Sequence, residues 1–285
     1  MSILPATFYD DGLMKRVIRF LRRLLSRARD LLSRLSPWAG VRLPTDAIPV
    51  AWPAIVARQV PLAARLPDED RERLFRLMQL FLEEVPLEGV AGLEITEEIR
   101  VTIAAQACLL LLHMPYPRYT RVRRVLVYPT SFVPKTAPRL THGHIVPPDV
   151  PLRGQAWPTG VVVLGWDAVQ HGTVSPADGG NVVLHEFAHM LDAEDGEMDG
   201  VPVLDSGSAY RAWGAALSTR FREHVERTER GEPTALDPYG ASNRAEFFAV
   251  ATEAFFENPA ALREDQPELY GLMVDFYGLD PTARR

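Results

Sequence analysis

The segment Asn181-Val182-Val183-Leu184-His185-Glu186-Phe187-Ala188-His189-Met190-Leu191-Asp192 constrains the fold more than any other part of the chain. It is largely apolar but carries two histidines and a glutamate in the order H-E-x-x-H. As a helix it must be buried and still satisfy three ionisable side chains, by pairing, neutralisation or a metal. Four residues advance a helix by about 400°, which puts His185 and His189 on one face, one turn apart, where both imidazoles reach the same ion. Glu186 lies about 100° away and is placed for a water on that ion instead of the ion itself. The expected chemistry is metal-assisted hydrolysis, with two ligands and a base drawn from residues 185–189.

A catalytic zinc takes three protein ligands and keeps a further position open. Asp192 follows His185 by seven residues and shares its face, but so short a side chain a further turn along reaches the same ion poorly. It reads as a partner orienting an imidazole. Glu246 and Glu253, also seven residues apart, share one face of a later helix. Glu246 equally completes Asn243-x-x-Glu246, a capping box at that helix's start. Spacing leaves the choice between ligand and cap open.

The rest of the chain predicts an α+β domain, mainly helical with a small sheet. Helices are expected over residues 68–84, 97–113 (capped by Thr96), 181–193, 208–227, 243–257 and 267–277. The valine-rich runs 122–128 and 160–166 read as strands, with proline-rich, irregular chain over 129–158 between them. The second strand is either sheet core or an edge offered to an extended substrate. Cys108, the single cysteine, falls in the apolar helix and has no partner for an intramolecular disulfide.

Leu13, Val17, Leu21, Leu24, Ala28, Leu31 and Leu35 recur at helical spacing among arginines, so residues 1–36 form a basic amphipathic arm. That arm either packs on the body or lies on anionic lipid through residues 13–35. Residues 37–53 read as a proline-rich linker and 54–285 as the functional domain. The whole chain has a formal charge of −6; residues 1–40 hold eight basic and three acidic side chains, leaving −11 for the remainder. So acidic a body excludes a broad nucleic-acid surface. A cytoplasmic location is the expectation, with membrane contact through the arm as the alternative to its packing on the body.

His185-Glu186-Phe187-Ala188-His189-Met190-Leu191-Asp192, Asp237-Pro238-Tyr239-Gly240-Ala241-Ser242 and Ala245-Glu246-Phe247-Phe248-Ala249-Val250 together resemble the Mlc titration factor A family of zinc peptidases. Val60-Pro61-Leu62, Ile99-Arg100-Val101-Thr102-Ile103-Ala104-Ala105-Gln106 and Gly154-Gln155-Ala156-Trp157 extend the resemblance over about residues 54–280. It implies a zincin-like core in which His185, His189 and Glu246 bind one Zn²⁺ and Glu186 is the catalytic acid/base. It also implies a role for Tyr239, seven residues before Glu246, an arrangement shared with the catalytic domain of anthrax lethal factor, where the phenol faces the substrate carbonyl. Family members carry a metal-approaching histidine upstream of the Gly-Gln-x-Trp segment, and His142 and His144 occupy that region here. The implied activity is peptide-bond hydrolysis, aminopeptidase-like, on a peptide or protein substrate. The implied alternative is a zinc-containing binding protein that sequesters an Mlc-like transcription repressor.

Overall fold

The computed structural model describes residues 42–114, 119–131, 139–141, 144–146, 152–174 and 180–283. The arm at 13–35, the first residues of the linker, and His142 lie outside the described residues. Leu43–Arg285 form one compact unit.

Prolines open several helices, because the first turn tolerates a missing N–H and the ring presets φ. Trp52–Gln59 (α1) and Pro61–Ala64 (α2) start this way. Residues 43–53 run against the following helix, Asp68–Glu84 (α3): the Asp46 carbonyl accepts from Arg76 and Gln79. The expected boundary at residue 54 therefore falls inside α1. Three acids in the first turn of α3 face the positive end of its dipole, and Leu74, Leu77, Met78 and Phe81 bury its inner face. Glu97–Leu109 (α4), capped by Thr96 accepting from the Ile99 N–H at 3.2 Å, is buried nearly all round. It ends four residues before the expected His113, in a run of turns. Cys108 is wholly buried in it, where burial pushes the thiol pKa far above its usual range.

In the main sheet Leu87–Gly89 (β1), Arg124–Tyr128 (β2) and Val161–Gly165 (β6) run parallel, and Gly154–Ala156 (β5) pairs antiparallel with β6, in the order β1-β2-β6-β5. Arg139–Thr141 (β3) and His144–Val146 (β4) make a separate antiparallel pair. One expectation is corrected here. The stretch 129–158 is not wholly irregular, since it holds β3, β4 and β5. Of the two roles open to the strand near 160–166, the structure gives sheet core, because β2 and β5 flank it; the edges of this sheet are β1 and β5. Its last expected residue, Trp166, instead opens the helix Trp166–Val174 (α5).

The remaining helices are Val182–Asp192 (α6), Gly207–Glu229 (α7), Arg244–Glu257 (α8), Pro259–Asp265 (α9) and Pro267–Tyr277 (α10). α6 packs against α8 on one side and α4 on another. Phe187 of α6 contacts Phe81 and Tyr119 with ring centroids 5.6 and 4.9 Å away, and the Tyr119 hydroxyl donates to the Ala107 carbonyl at 2.7 Å. This aromatic anchor fixes the rotation of α6 about its axis and so turns the histidine face toward α8. Among the described residues no helix is long and apolar enough to cross a membrane.

Candidate metal centre

Each side chain of the site is aimed by a helix whose start is locally specified. Asn181 caps α6, its side-chain oxygen accepting from the Leu184 N–H at 3.1 Å, and Asn243 caps α8 by accepting from the Glu246 N–H at 3.0 Å. Asn243 thus supplies one half of the expected capping box. The Glu246 carboxylate faces the histidines: its Oε2 stands 3.0 Å from His185 Nε2 and 3.3 Å from His189 Nε2, and the two nitrogens are 3.2 Å apart. Ligand atoms of His185, His189 and Glu246 all lie within 4.8 Å of one another, so the three could hold a metal ion.

Glu253 decides the chemistry of that cluster. Its Oε1 lies 2.7 Å from His185 Nδ1, and it also accepts from the Asn181 backbone N–H. With Nδ1–H donated to Glu253, the His185 Nε2 faces the Glu246 carboxylate. A positive charge among these converging groups, a proton on Nε2 or a metal ion in its place, offsets the repulsion of donors crowded into a buried space. A tetrahedral ion with bonds of about 2.05 Å separates its ligands by about 3.4 Å. The observed 3.0–3.3 Å spacings fit that donor set, two nitrogens and one oxygen. Burial opposes protonation of His185, but the Glu253 and Glu246 carboxylates outweigh it and raise the imidazole's proton affinity well above normal.

Glu186 points away from these ligands toward the sheet. It is buried, and its carboxyl pKa is raised to about 8, chiefly by burial and further by Glu246 and Glu253, against the pull of His185 and of a hydrogen bond from the Ala156 backbone N–H. β5 comes close enough for that bond because residue 154 is glycine: a Cβ there would stand 2.5 Å from Val182 Cγ2 and 2.6 Å from Glu186 Oε1. Tyr239 rides on the 3₁₀ turn Pro238–Ala241, its ring centroid 6.0 Å from that of His185. It hydrogen-bonds Glu246; burial first, then the Glu246 and Glu186 charges, push its phenol above the usual range and keep it a donor. At 53% exposure the ring still meets solvent and hence an arriving substrate.

The structure thus brings together His185, His189, Glu186, Glu246 and Tyr239. It does not place Asp192 as the imidazole partner. Asp192 Oδ2 instead accepts from the Gly200 N–H at 2.8 Å, tying the end of α6 to the following loop, and Glu253 takes the orienting role. Sequence spacing had put Glu253 on the ligand face without separating its role from that of Glu246. His144 opens β4, opposite Thr141.

Burial raises the Asp192 carboxyl pKa from 3.8 to about 8. Between those values the folded chain holds a proton that the unfolded chain releases, so this group's contribution to stability falls as pH rises through that window, by at most about 1.4 kcal/mol per pH unit. Asp192→Asn cannot ionise, and its carbonyl oxygen can still accept from Gly200. The stability difference between variant and wild type, read from urea unfolding, is therefore expected to grow in the variant's favour from pH 4.5 to about 8. A difference independent of pH would refute a buried neutral carboxyl at this position.

A helix pair that converges two imidazoles and a carboxylate beside a buried glutamate and a mixed sheet defines a metallopeptidase-type centre. The sequence comparisons agree with that class. The model of the family described as glucose-regulated metallo-peptidase M90 matches residues 35–278, and the chain belongs to that family. An uncharacterized protein of Synechocystis sp. is 36% identical, over 86% of this chain and 89% of its own length. Proteins named Mlc titration factor A from Pectobacterium atrosepticum and Cronobacter sakazakii are 33% and 32% identical, over 82% and 87% of this chain and 87% and 92% of theirs.

Proposed function

We propose that this metallopeptidase is a zinc enzyme of the gluzincin type that hydrolyses peptide bonds, with aminopeptidase-like preference. The reading rests on one observation above the others: His185 and Glu246, joined by His189, aim metal-ligating atoms at a common point while Glu253 fixes the His185 tautomer. His185, His189 and Glu246 would hold the ion. Zinc, when bound, supplies Lewis acidity, polarising the scissile carbonyl and lowering the pKa of its water from 15.7 toward about 7.

The protein's own groups do the rest. Glu186 takes a proton from the attacking water and returns it to the leaving amine; burial raises its carboxyl's proton affinity, against the hydrogen bond it accepts from the Ala156 N–H. Tyr239 donates a hydrogen bond to the oxygen on which negative charge develops. β5 ends the sheet next to Glu186, and its outer edge suits an extended peptide added as a further strand. This replaces the role considered for the strand near 160–166.

Tyr239→Phe keeps the ring and removes the donor. Turnover is expected to fall about 10- to 100-fold, less than for a fully enclosed oxyanion donor, with metal content unchanged. An unchanged kcat would remove Tyr239 from the mechanism. The function itself is tested by elemental analysis combined with cleavage of aminoacyl anilides and internally quenched peptides. Zinc near one per chain with anilide turnover supports the full reading, turnover of internal bonds alone replaces the aminopeptidase preference, and absence of zinc overturns the proposal.

A second reading has one supporting observation, the name Mlc titration factor A carried by relatives over 30% identical. On this reading the chain binds an Mlc-like repressor, with or without hydrolysis. Capture of such a repressor by wild type and by Glu186→Gln alike would favour binding as a separate role; no capture by either would reject it.

A further inference from the structure

The turn that carries Tyr239 is seated on a buried histidine that the reaction itself does not use. His224, on α7, is wholly buried, and its Nε2–H donates to the Asp237 carbonyl at 3.1 Å. That carbonyl also accepts from the Gly240 N–H at 3.0 Å, while Asp237 Oδ1 accepts from the Tyr239 N–H at 2.7 Å. Asp237 is therefore the clasp of the turn, and His224 is what holds the clasp to the body. Gly240 completes the seat, since a Cβ there would stand 3.3 Å from both His224 Nε2 and Val250 Cβ. On its other side the His224 ring packs against Phe247 with centroids 5.7 Å apart, and Phe247 is the neighbour of Glu246 in sequence.

Nothing about the fold alone asks for a histidine here. Burial pushes its pKa down, helped by the nearby Arg227 charge, and Nδ1 has no hydrogen-bond partner among the described residues. A buried polar atom without a partner costs stability, and an apolar side chain of similar size would avoid that cost. What the histidine alone supplies is a rigid donor that joins α7, the Tyr239 turn and the start of α8.

We propose that His224 is a positioning residue that sets where the Tyr239 phenol stands relative to the metal ligands. This deepens the reading of Tyr239 as oxyanion donor and rests on it. A displacement of part of an ångström at a donor of this kind is enough to slow turnover.

The test uses the zinc-loaded full chain. His224→Leu removes the donor, His224→Gln returns an N–H at similar reach, and Gly240→Ala presses on the same seat without removing the bond. His224→Leu should lower kcat about tenfold with KM and zinc content unchanged, and His224→Gln should restore most of it. Hydrogen exchange should quicken over residues 237–242 and stay unchanged in α6. In a Tyr239→Phe background neither His224→Leu nor Gly240→Ala should slow the enzyme further. A slow Tyr239→Phe enzyme in which His224→Leu still costs its full factor would overturn the positioning role and leave the Tyr239 reading standing. A Tyr239→Phe enzyme as fast as wild type would overturn that reading and the role of His224 with it. Unaltered exchange over 237–242 in His224→Leu would overturn the seat itself, whatever the kinetics.

Discussion

Glu186→Gln is expected to retain zinc near one per chain and to lose at least about 100-fold in kcat, within the range that positioned acid–base groups contribute. Four of the residues that shape the metal centre, His185, His189, Glu246 and Glu253, are untouched by the change, and none of the hydrogen bonds among them involves residue 186. The Gln carbonyl oxygen can still accept from the Ala156 N–H that Glu186 accepts from. The substitution leaves the shape and removes the proton acceptor. Raising the pH should not rescue it, because an amide has no basic form at working pH. Elemental analysis and turnover measured on the same preparation give the result: full activity in the variant would end the assignment of Glu186, and loss of zinc would show that residue 186 supports the metal instead of the reaction.

The site was legible in the sequence to the degree that its geometry is local. H-E-x-x-H fixes the relative placement of His185, Glu186 and His189 because one helix carries all three, and the structure keeps that helix from Val182 to Asp192. The partner on α8 is another matter. Glu246 and Glu253 share a face, and which of them meets Nε2 and which meets Nδ1 of His185 depends on the axial offset between two helices that are remote in sequence. No spacing rule contains that offset. The same limit explains Asp192: helical spacing puts it near the histidine face, and its partner, the Gly200 N–H, lies in a loop beyond the helix.

The fold divides along similar lines. α3 and α10 begin and end where residues 68–84 and 267–277 were expected, since acidic or proline-bearing first turns and long apolar periodicity mark them. α1, α2 and α9 escaped because each is short and carries Pro at its first or second position, which reads as a break although it is compatible with a first turn. β5 escaped for the opposite reason. Gly-Gln-Ala has no β-branched residue, and its strand state comes from pairing with β6 and from contact with α6.

The second large effect concerns metal affinity, and it separates the two glutamates of α8. Glu246→Ala removes one of the three atoms proposed to hold the ion, leaving the histidine nitrogens 3.2 Å apart with no carboxylate between them. Glu253→Gln leaves all three atoms in place, and the Gln oxygen can still accept from His185 Nδ1–H. It removes only the charge that makes His185 a better ligand. The latter change is expected to weaken zinc about 10- to 100-fold, as loss of a group that orients a metal-bound imidazole does, and to allow full occupancy at saturating zinc. Glu246→Ala should weaken it further and leave less than one zinc per chain after purification. Asp192→Ala should leave affinity near wild type, since the Asp192 carboxylate accepts from the Gly200 N–H. Competition against a zinc-chelating dye orders the four proteins. If Asp192→Ala lost the metal while Glu246→Ala kept it, the third ligand would be Asp192; if Glu253→Gln fell below Glu246→Ala, the two glutamates would exchange roles.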